Sequence, residues 1–332
     1  MHLVTCADTY KMEQNSTDQL GSIGFYTLSD QRAKTASEHT RLVRCELLLT
    51  GRCNFHCEYC RGVGGKDIPF EKACELRDLW CKDNLYAVRF SGGEPTLYRR
   101  LPELVQYARA GGIQKIAVST NGSAPWSKYE KLLKAGVNDW SVSLDACCAA
   151  DGDAISGLPG SWNKVVQNTK KLAKVAYVTV GIVLTDVNVD IANDIIRFAA
   201  GLNVADIRVI PAAQKDNRLH EIHVDRDLLE KFPILAYRVK NLQYGKPVRG
   251  LTSSDAPACF LALDDMAVCE GKHYPCIIYL REGGEAIGEV GSDMRTARGE
   301  WVKNHDPRTD PICKANCLDV CTDYNRRYWQ LH

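Results

Sequence analysis

Three closely spaced cysteines, Cys53, Cys57 and Cys60, form a C-x3-C-x2-C run directly after an apolar, strand-like segment. Cysteine thiolates bind zinc or the irons of iron–sulfur clusters, so the run predicts a metal site. No fourth ligand lies nearby in the sequence. The run therefore belongs either to a zinc site or to an iron–sulfur cluster in which one iron stays open for chemistry.

A second group of cysteines lies near the C-terminus. Its members are Cys259, Cys269, Cys276, Cys313, Cys317 and Cys321. One 4Fe-4S cluster takes at most four thiolates, so at least one of these cysteines is free for another role. Zinc is again the alternative metal, and the sequence leaves open which of the last three cysteines are ligands.

Six short apolar segments alternate with segments of helical periodicity, and we predict them as strands at residues 42–49, 86–90, 115–119, 140–144, 177–184 and 206–210. Such alternation is typical of parallel strands joined by right-handed crossovers. Parallel barrels carry their chemistry at the carboxyl ends of their strands. The cysteine run and the polar motifs after the next three strands should therefore face the same mouth.

These motifs resemble the radical S-adenosylmethionine (SAM) superfamily, in the branch of the molybdopterin-precursor synthase and the SPASM/twitch enzymes. Besides the cysteines, the resemblance rests on segments 50–54, 92–95, 119–122 and 141–145, and it covers residues 42 to about 325. In this family the open iron holds the amino and carboxylate groups of SAM.

The resemblance implies an α/β fold with a partial (β/α)6 TIM-like barrel and a small twitch/SPASM-like iron–sulfur domain. We place an N-terminal lead-in at 1–41, the barrel at 42–215, a connecting helical segment at 216–255 and the auxiliary cluster domain at 256–332.

The resemblance also assigns residues to the SAM site. Cys53, Cys57 and Cys60 would hold the 4Fe-4S cluster, and the glycines of the Gly-Gly-Glu-Pro turn would let the backbone approach SAM closely. Tyr59 either contacts the adenine or simply packs. The predicted SAM-binding residues are Tyr59, Gly92, Gly93, Glu94, Pro95, Asn121, Ser143, Asp145 and Arg208.

Cys259, Gly271 and Cys276 are similar to the start of the twitch pattern, and too few cysteines remain for two fully ligated auxiliary clusters. We therefore expect one auxiliary 4Fe-4S cluster, with Cys313, Cys317 and Cys321 as the remaining candidate ligands. Cys269 breaks the matched pattern. It is either a free catalytic thiol or a small packing residue.

Glu46 and Arg89 are charged residues within apolar strands. A buried charge is costly unless it is paired, so they either pair with each other or line the cavity and bind a polar substrate.

The predicted enzyme cleaves SAM to a 5′-deoxyadenosyl radical and abstracts hydrogen from a polar small molecule such as a sugar, a cyclitol or a nucleotide. The outcome would be epimerisation, with Cys269 as hydrogen donor, or dehydrogenation, and a reducing partner such as flavodoxin or ferredoxin would supply electrons. The alternatives are a ribosomal-peptide maturase and a non-catalytic iron–sulfur or zinc scaffold.

The formal net charge of +1 offers no excess of cations for binding nucleic acid or an anionic membrane surface. No apolar run approaches the roughly 20 residues that cross a bilayer, and no signal peptide is recognisable, so we expect a cytoplasmic protein.

Overall fold

A mixed sheet forms the centre of the structure, a computed structural model that describes residues 30–62, 64–212 and 222–332. Its strands are β1 (Arg44–Thr50), β2 (Ala87–Gly92), β3 (Lys115–Thr120), β4 (Asp139–Ser143), β5 (Tyr177–Leu184), β6 (Asp206–Pro211), β7 (Asp265–Cys269), β8 (Lys272–Tyr274) and β9 (Gly288–Glu289). The strand order is β6-β5-β4-β3-β2-β1-β7-β8-β9. Strands β1 to β7 are parallel, and β8 and β9 add to β7 in antiparallel fashion.

Helices connect the strands and cover the sheet. They are α1 (Asp30–Thr35), α2 (Phe70–Lys82), α3 (Leu101–Ala110), α4 (Trp126–Ala135), α5 (Ala149–Ser156), α6 (Ser161–Ala173), α7 (Ala192–Ala200), α8 (Arg226–Lys231), α9 (Pro233–Gln243), α10 (Ile277–Arg281), α11 (Met294–Asn304), α12 (Pro311–Asn316) and α13 (Asp319–Leu331). Within the described residues, no helix has both the length and the apolarity needed to span a membrane.

The two faces of the strands differ in chemistry. In β1, Cys45, Leu47 and Leu49 belong to the main apolar core, whereas Glu46 lies on the opposite face. Successive side chains of a strand alternate between faces, so the helices cover one face and polar groups collect on the other. The predicted α/β fold with a partial parallel barrel is confirmed, and the six predicted strands match β1 to β6 apart from one or two residues at several ends.

The seventh parallel strand departs from the predicted domain division. β7 pairs with β1, with Arg44 opposite Asp265 and Leu48 opposite Cys269. The barrel sheet therefore continues past residue 256, where we placed a separate domain. Nothing in the local sequence signals this pairing, because β1 and β7 are more than two hundred residues apart in the chain.

The predicted lead-in at 1–41 and the connecting segment at 216–255 are described only from residue 30 and from residue 222 onward. Ala33 of α1 packs with Leu261 and Tyr324 in a second apolar cluster. The described part of the lead-in therefore packs against the C-terminal part of the chain.

Arg298 of α11 connects the hairpin of β7 and β8 to the segments packed against it. The side chain is fully buried. It donates hydrogen bonds to the carbonyl oxygens of Ala262 at 2.8 Å, Tyr274 at 3.1 Å and Asp265, and it lies 3.1 Å from Nδ1 of His273. The Arg298 side chain thus donates hydrogen bonds to backbone carbonyls of three chain segments.

We expect Arg298→Met to destabilise the protein. Each carbonyl left without a donor costs about 1–3 kcal/mol, so the melting temperature of the reconstituted protein should fall by roughly 5 °C or more in thermal unfolding. The matched control is Arg226→Met, because Arg226 is an exposed helix residue paired with Glu230. Equal melting temperatures for the two variants would contradict the account.

Candidate functional site

The loop after β1 presents Cys53, Cys57 and Cys60 at the carboxyl end of the sheet. Cys53 and Cys60 are exposed, Cys57 is half-buried, and the three thiols are close enough to interact electrostatically. Burial and the nearby Asp145 raise the pKa of Cys57 to about 11, so a metal must displace its proton. Three thiols with an open side fit a cluster that leaves one iron for a further ligand.

The Gly-Gly-Glu-Pro turn after β2 is fastened to this cysteine loop. The amide of Gly93 donates to the carbonyl of Thr50 at 2.7 Å, and the amide of Glu94 donates to that of Arg52 at 2.8 Å. A Cβ atom on Gly92 would lie 2.3 Å from the Thr50 oxygen, and one on Gly93 would lie 2.2 Å from the Arg52 oxygen. The glycines therefore permit contact between two protein backbones, whereas we predicted that they allow approach of SAM.

Glu94 turns its carboxylate into the protein. It is buried, and it accepts hydrogen bonds from the amide of Thr96 at 3.0 Å, the hydroxyl of Thr120 at 2.9 Å and the amide of Asn121 at 2.7 Å. Burial raises the pKa of this carboxyl. The Glu94 side chain thus joins the ends of β2 and β3, and its role in SAM binding stays a prediction. Pro95 begins the buried 3-10 turn that follows.

Asn121 at the end of β3 supports the first cysteine. Its Nδ2 donates to Oδ1 of Asn54 at 2.9 Å and lies 3.9 Å from Sγ of Cys53, and its Oδ1 accepts from the hydroxyl of Ser123 at 2.8 Å. We expected Asn121 to bind SAM, and the structure ties its amide to the cysteine loop. We predicted no contact for Asn54 or Ser123, although the position of Asn54 next to Cys53 could have indicated a role.

Tyr59 and Asp145 form a second tie to the cysteine loop. The Tyr59 hydroxyl donates to the Asp145 carboxylate, which also accepts from the amide of Val183 at 2.6 Å. Burial raises the pKa of Asp145 to about 6. Both predicted SAM contacts therefore bond to each other in this structure. Ser143, the exposed last residue of β4, presents its side chain at the mouth.

Charged residues occupy the polar face of the sheet. Glu46 and Arg89 are opposite each other in the register of β1 and β2, yet Glu46 accepts from the hydroxyl of Ser91 at 2.6 Å and Arg89 donates to that of Ser119 at 2.9 Å. Their observed bonds to serines on this face favour the predicted role of lining the interior.

Arg208 of β6 extends the same polar face. Its Nη2 lies 3.2 Å from the hydroxyl of Ser141 in β4, and Gly181 of the intervening β5 leaves room for the guanidinium. The predicted residue Arg208 thus faces the interior. It is in register with Ser143 through Gly181, and its guanidinium reaches back to Ser141.

Five of the six C-terminal cysteines line one cavity: Cys259, Cys276, Cys313, Cys317 and Cys321. Burial raises the pKa of Cys259 to about 11, and it also raises the pKa values of Cys276 and Cys313. Cys317 and Cys321 are in hydrogen-bonding contact. This set of buried sulfurs fits an iron–sulfur cluster or zinc.

Cys269 lies outside that cavity. It is the half-buried last residue of β7, and its electrostatic neighbours are Glu270 and Arg281. Because β7 is parallel to β1, Cys269 lies at the same edge of the sheet as the cysteine loop.

Comparisons with known proteins agree with this geometry. Residues 47–199 match the radical SAM superfamily. The chain is 31% identical over 157 residues to molybdenum cofactor biosynthesis protein 1 of Dictyostelium discoideum, covering 45% of this chain and 24% of that protein. It is 27% identical over 170 residues to a probable GTP 3′,8-cyclase of Sulfolobus acidocaldarius, covering 49% of this chain and 54% of the relative. The chain thus spans about half or less of these relatives.

Solved structures share the fold over most of the chain. Streptococcus suis SuiB bound to precursor peptide SuiA has a TM-score of 0.59 at 14% identity, covering 94% of this chain and 88% of SuiB. Native anSMEcpe with bound AdoMet has a TM-score of 0.56 at 14% identity, covering 87% of this chain and 96% of anSMEcpe. Residues 47–199, which carry the cysteine loop, are thus similar to the radical SAM superfamily, whose cofactors are SAM and a 4Fe-4S cluster, and the solved structures show the same fold.

Proposed function

We propose that this chain cleaves SAM reductively and abstracts hydrogen from a carbon of a polar small molecule. The observation that carries the proposal is the trio of open thiols, Cys53, Cys57 and Cys60, on a loop that three neighbouring strand ends hold in place. Once loaded, the cluster and SAM supply a 5′-deoxyadenosyl radical, and the protein supplies binding and orientation.

Several residues have positioning roles in this proposal. Glu94 and Asn121 act through the cysteine loop, since their side chains bond to protein groups around it. Ser143 is exposed at the mouth, so it is our candidate for direct contact with SAM. Arg89 and Arg208 face the interior on the same side of the sheet, where a polar substrate would lie.

The first test replaces Cys53, Cys57 and Cys60 together by Ala. We expect the reconstituted wild type to contain about eight irons per chain in two 4Fe-4S clusters, and the variant to lose about half. The variant should form no 5′-deoxyadenosine with dithionite and SAM, because no open iron remains. SAM cleavage by the variant would exclude this site, and no cleavage by the iron-loaded wild type would favour a scaffold protein.

Five cysteines line the auxiliary cavity, one more than the four that a 4Fe-4S cluster binds. We propose that Cys259, Cys276 and Cys313 are ligands, together with one of Cys317 and Cys321, because two thiols in contact compete for one position at the cluster.

Single Ala variants test this ligand set by iron content and electron paramagnetic resonance (EPR). Replacing Cys259, Cys276 or Cys313 should diminish the auxiliary signal. One of the variants at Cys317 and Cys321 should keep about eight irons, because its partner supplies the fourth thiolate. Full iron retention by the Cys259 variant would contradict the proposed set, whereas high zinc content in the wild type would favour a zinc site.

Cys269 decides between two outcomes of hydrogen abstraction. A thiol can give its hydrogen atom to a carbon radical, which forms a new C–H bond and leaves a sulfur radical. One electron from the reducing partner and one proton from solvent then restore the thiol. The half-buried thiol at the mouth favours this role over one as an auxiliary ligand. Epimerisation would follow.

We expect Cys269→Ala to form 5′-deoxyadenosine but not the inverted product. In deuterated water, the wild-type product should carry one solvent deuterium at the inverted carbon by mass spectrometry. Cys81→Ala is the control, because Cys81 packs against the core on α2, away from the mouth. A product two mass units lighter than substrate, formed equally by Cys269→Ala, would establish dehydrogenation.

A further inference from the structure

Helix α10 extends from the auxiliary cysteine cavity to the turn after β2. It begins directly after Cys276, whose sulfur accepts a hydrogen bond from the amide of Tyr279 at 3.4 Å. The Tyr279 side chain is buried, and its hydroxyl donates to the carboxylate of Asp310, the residue before α12, at 3.2 Å. Cys276 and Tyr279 both line the auxiliary cavity, so the wall of that cavity holds the start of α10.

The other end of α10 contacts the turn after β2. Arg281, the last residue of the helix, donates from Nη2 to the carbonyl oxygen of Gly92 at 3.1 Å. The register of β2 with β3 runs from Ala87 to Phe90, so Gly92 lies two residues beyond that ladder. Gly92 is buried, and a buried backbone carbonyl requires a donor. Arg281 supplies one from 189 residues away along the chain.

The residue after α10 contacts the end of the cysteine loop. Glu282 forms an ion pair with Arg61, which directly follows Cys60. The two side chains are 19% and 18% exposed, so water and salt screen the pair only weakly. The last residue of the cysteine loop therefore has a charged partner in the C-terminal part of the chain.

These contacts complete the support of the cysteine loop. The turn after β2 bonds to Arg52 at the start of the loop, and Asn121 and Asp145 bond to its middle. Helix α10 and the residue after it contact both that turn and the end of the loop. Groups that orient metal ligands also tune what the metal binds. A contact that fixes the three thiols should therefore fix the open iron as well.

We infer that Arg281 and Glu282 are positioning residues for SAM binding. Arg281 holds the Gly92 carbonyl, and Glu282 holds the end of the cysteine loop through Arg61. Neither side chain has to contact SAM for this role. The inference rests on the proposed function, and it adds that residues outside the matched segment 47–199 set the affinity of the barrel site for SAM.

Calorimetric titration of the unreduced, reconstituted holoprotein with SAM tests the two residues, because no electron is then available for cleavage. We expect Arg281→Gln to raise the Kd for SAM roughly 5-fold, the factor that one hydrogen bond typically contributes. Glu282→Gln should also raise the Kd, since the end of the loop loses its charged partner. With dithionite present, the KM for SAM should rise in both variants, while kcat changes less.

Two further variants separate SAM binding from folding. Arg109→Gln is the matched control, because Arg109 also donates to backbone carbonyls, but to those that precede β3 and β4 at the opposite edge of the sheet. It should bind SAM like the wild type. Arg281→Lys keeps a donor and should bind SAM more tightly than Arg281→Gln. All variants are compared at equal iron content, so that loss of a cluster is not mistaken for weaker binding.

Wild-type affinity for SAM in either Gln variant would overturn the role assigned to that residue. A lower melting temperature with an unchanged Kd at equal iron content would show a purely structural role, and would also overturn it. If the wild type cleaves SAM, these results sink this inference alone. Failure of the iron-loaded wild type to bind and cleave SAM would instead sink the proposed function.

Discussion

The close backbone contact between the loop after β1 and the turn after β2 is the constraint on which the candidate site depends. Gly92 and Gly93 allow this contact, because any side chain there would collide with the carbonyls of Thr50 and Arg52. The contact fixes the start of the cysteine loop, while Asn121 and Asp145 fix it from the ends of β3 and β4. Because three strand ends hold the loop, its open thiols can keep one geometry. Binding of a cluster then costs the loop little conformational entropy.

The addition of β7 to β1 brings the second cysteine group to the barrel. The strand ends at Cys269 on the edge of the sheet that carries the cysteine loop, and the hairpin that follows leads to Cys276. Arg281 then contacts the turn after β2. The two groups of cysteines therefore belong to one continuous structure.

Local patterns predicted much of this architecture. The alternation of apolar strands and helices determined β1 to β6, because each strand buries one face under its own crossover helix. The cysteine spacing and the Gly-Gly-Glu-Pro motif located the mouth. Long-range pairing was not predictable, since β7 joins β1 through backbone hydrogen bonds that leave no mark on the sequence of either strand. The inward turn of Glu94 and the bond between Tyr59 and Asp145 were also missed, because both depend on donors from neighbouring strands.

We infer that this chain carries two chemically different iron–sulfur clusters, of which only the one on the barrel loop has an open iron. EPR spectra of the dithionite-reduced, reconstituted wild type, recorded with and without SAM, test this claim most directly. We expect two overlapping signals, of which SAM shifts one and leaves the other unchanged. Spectra in which SAM shifts neither signal, or shifts both, would contradict it.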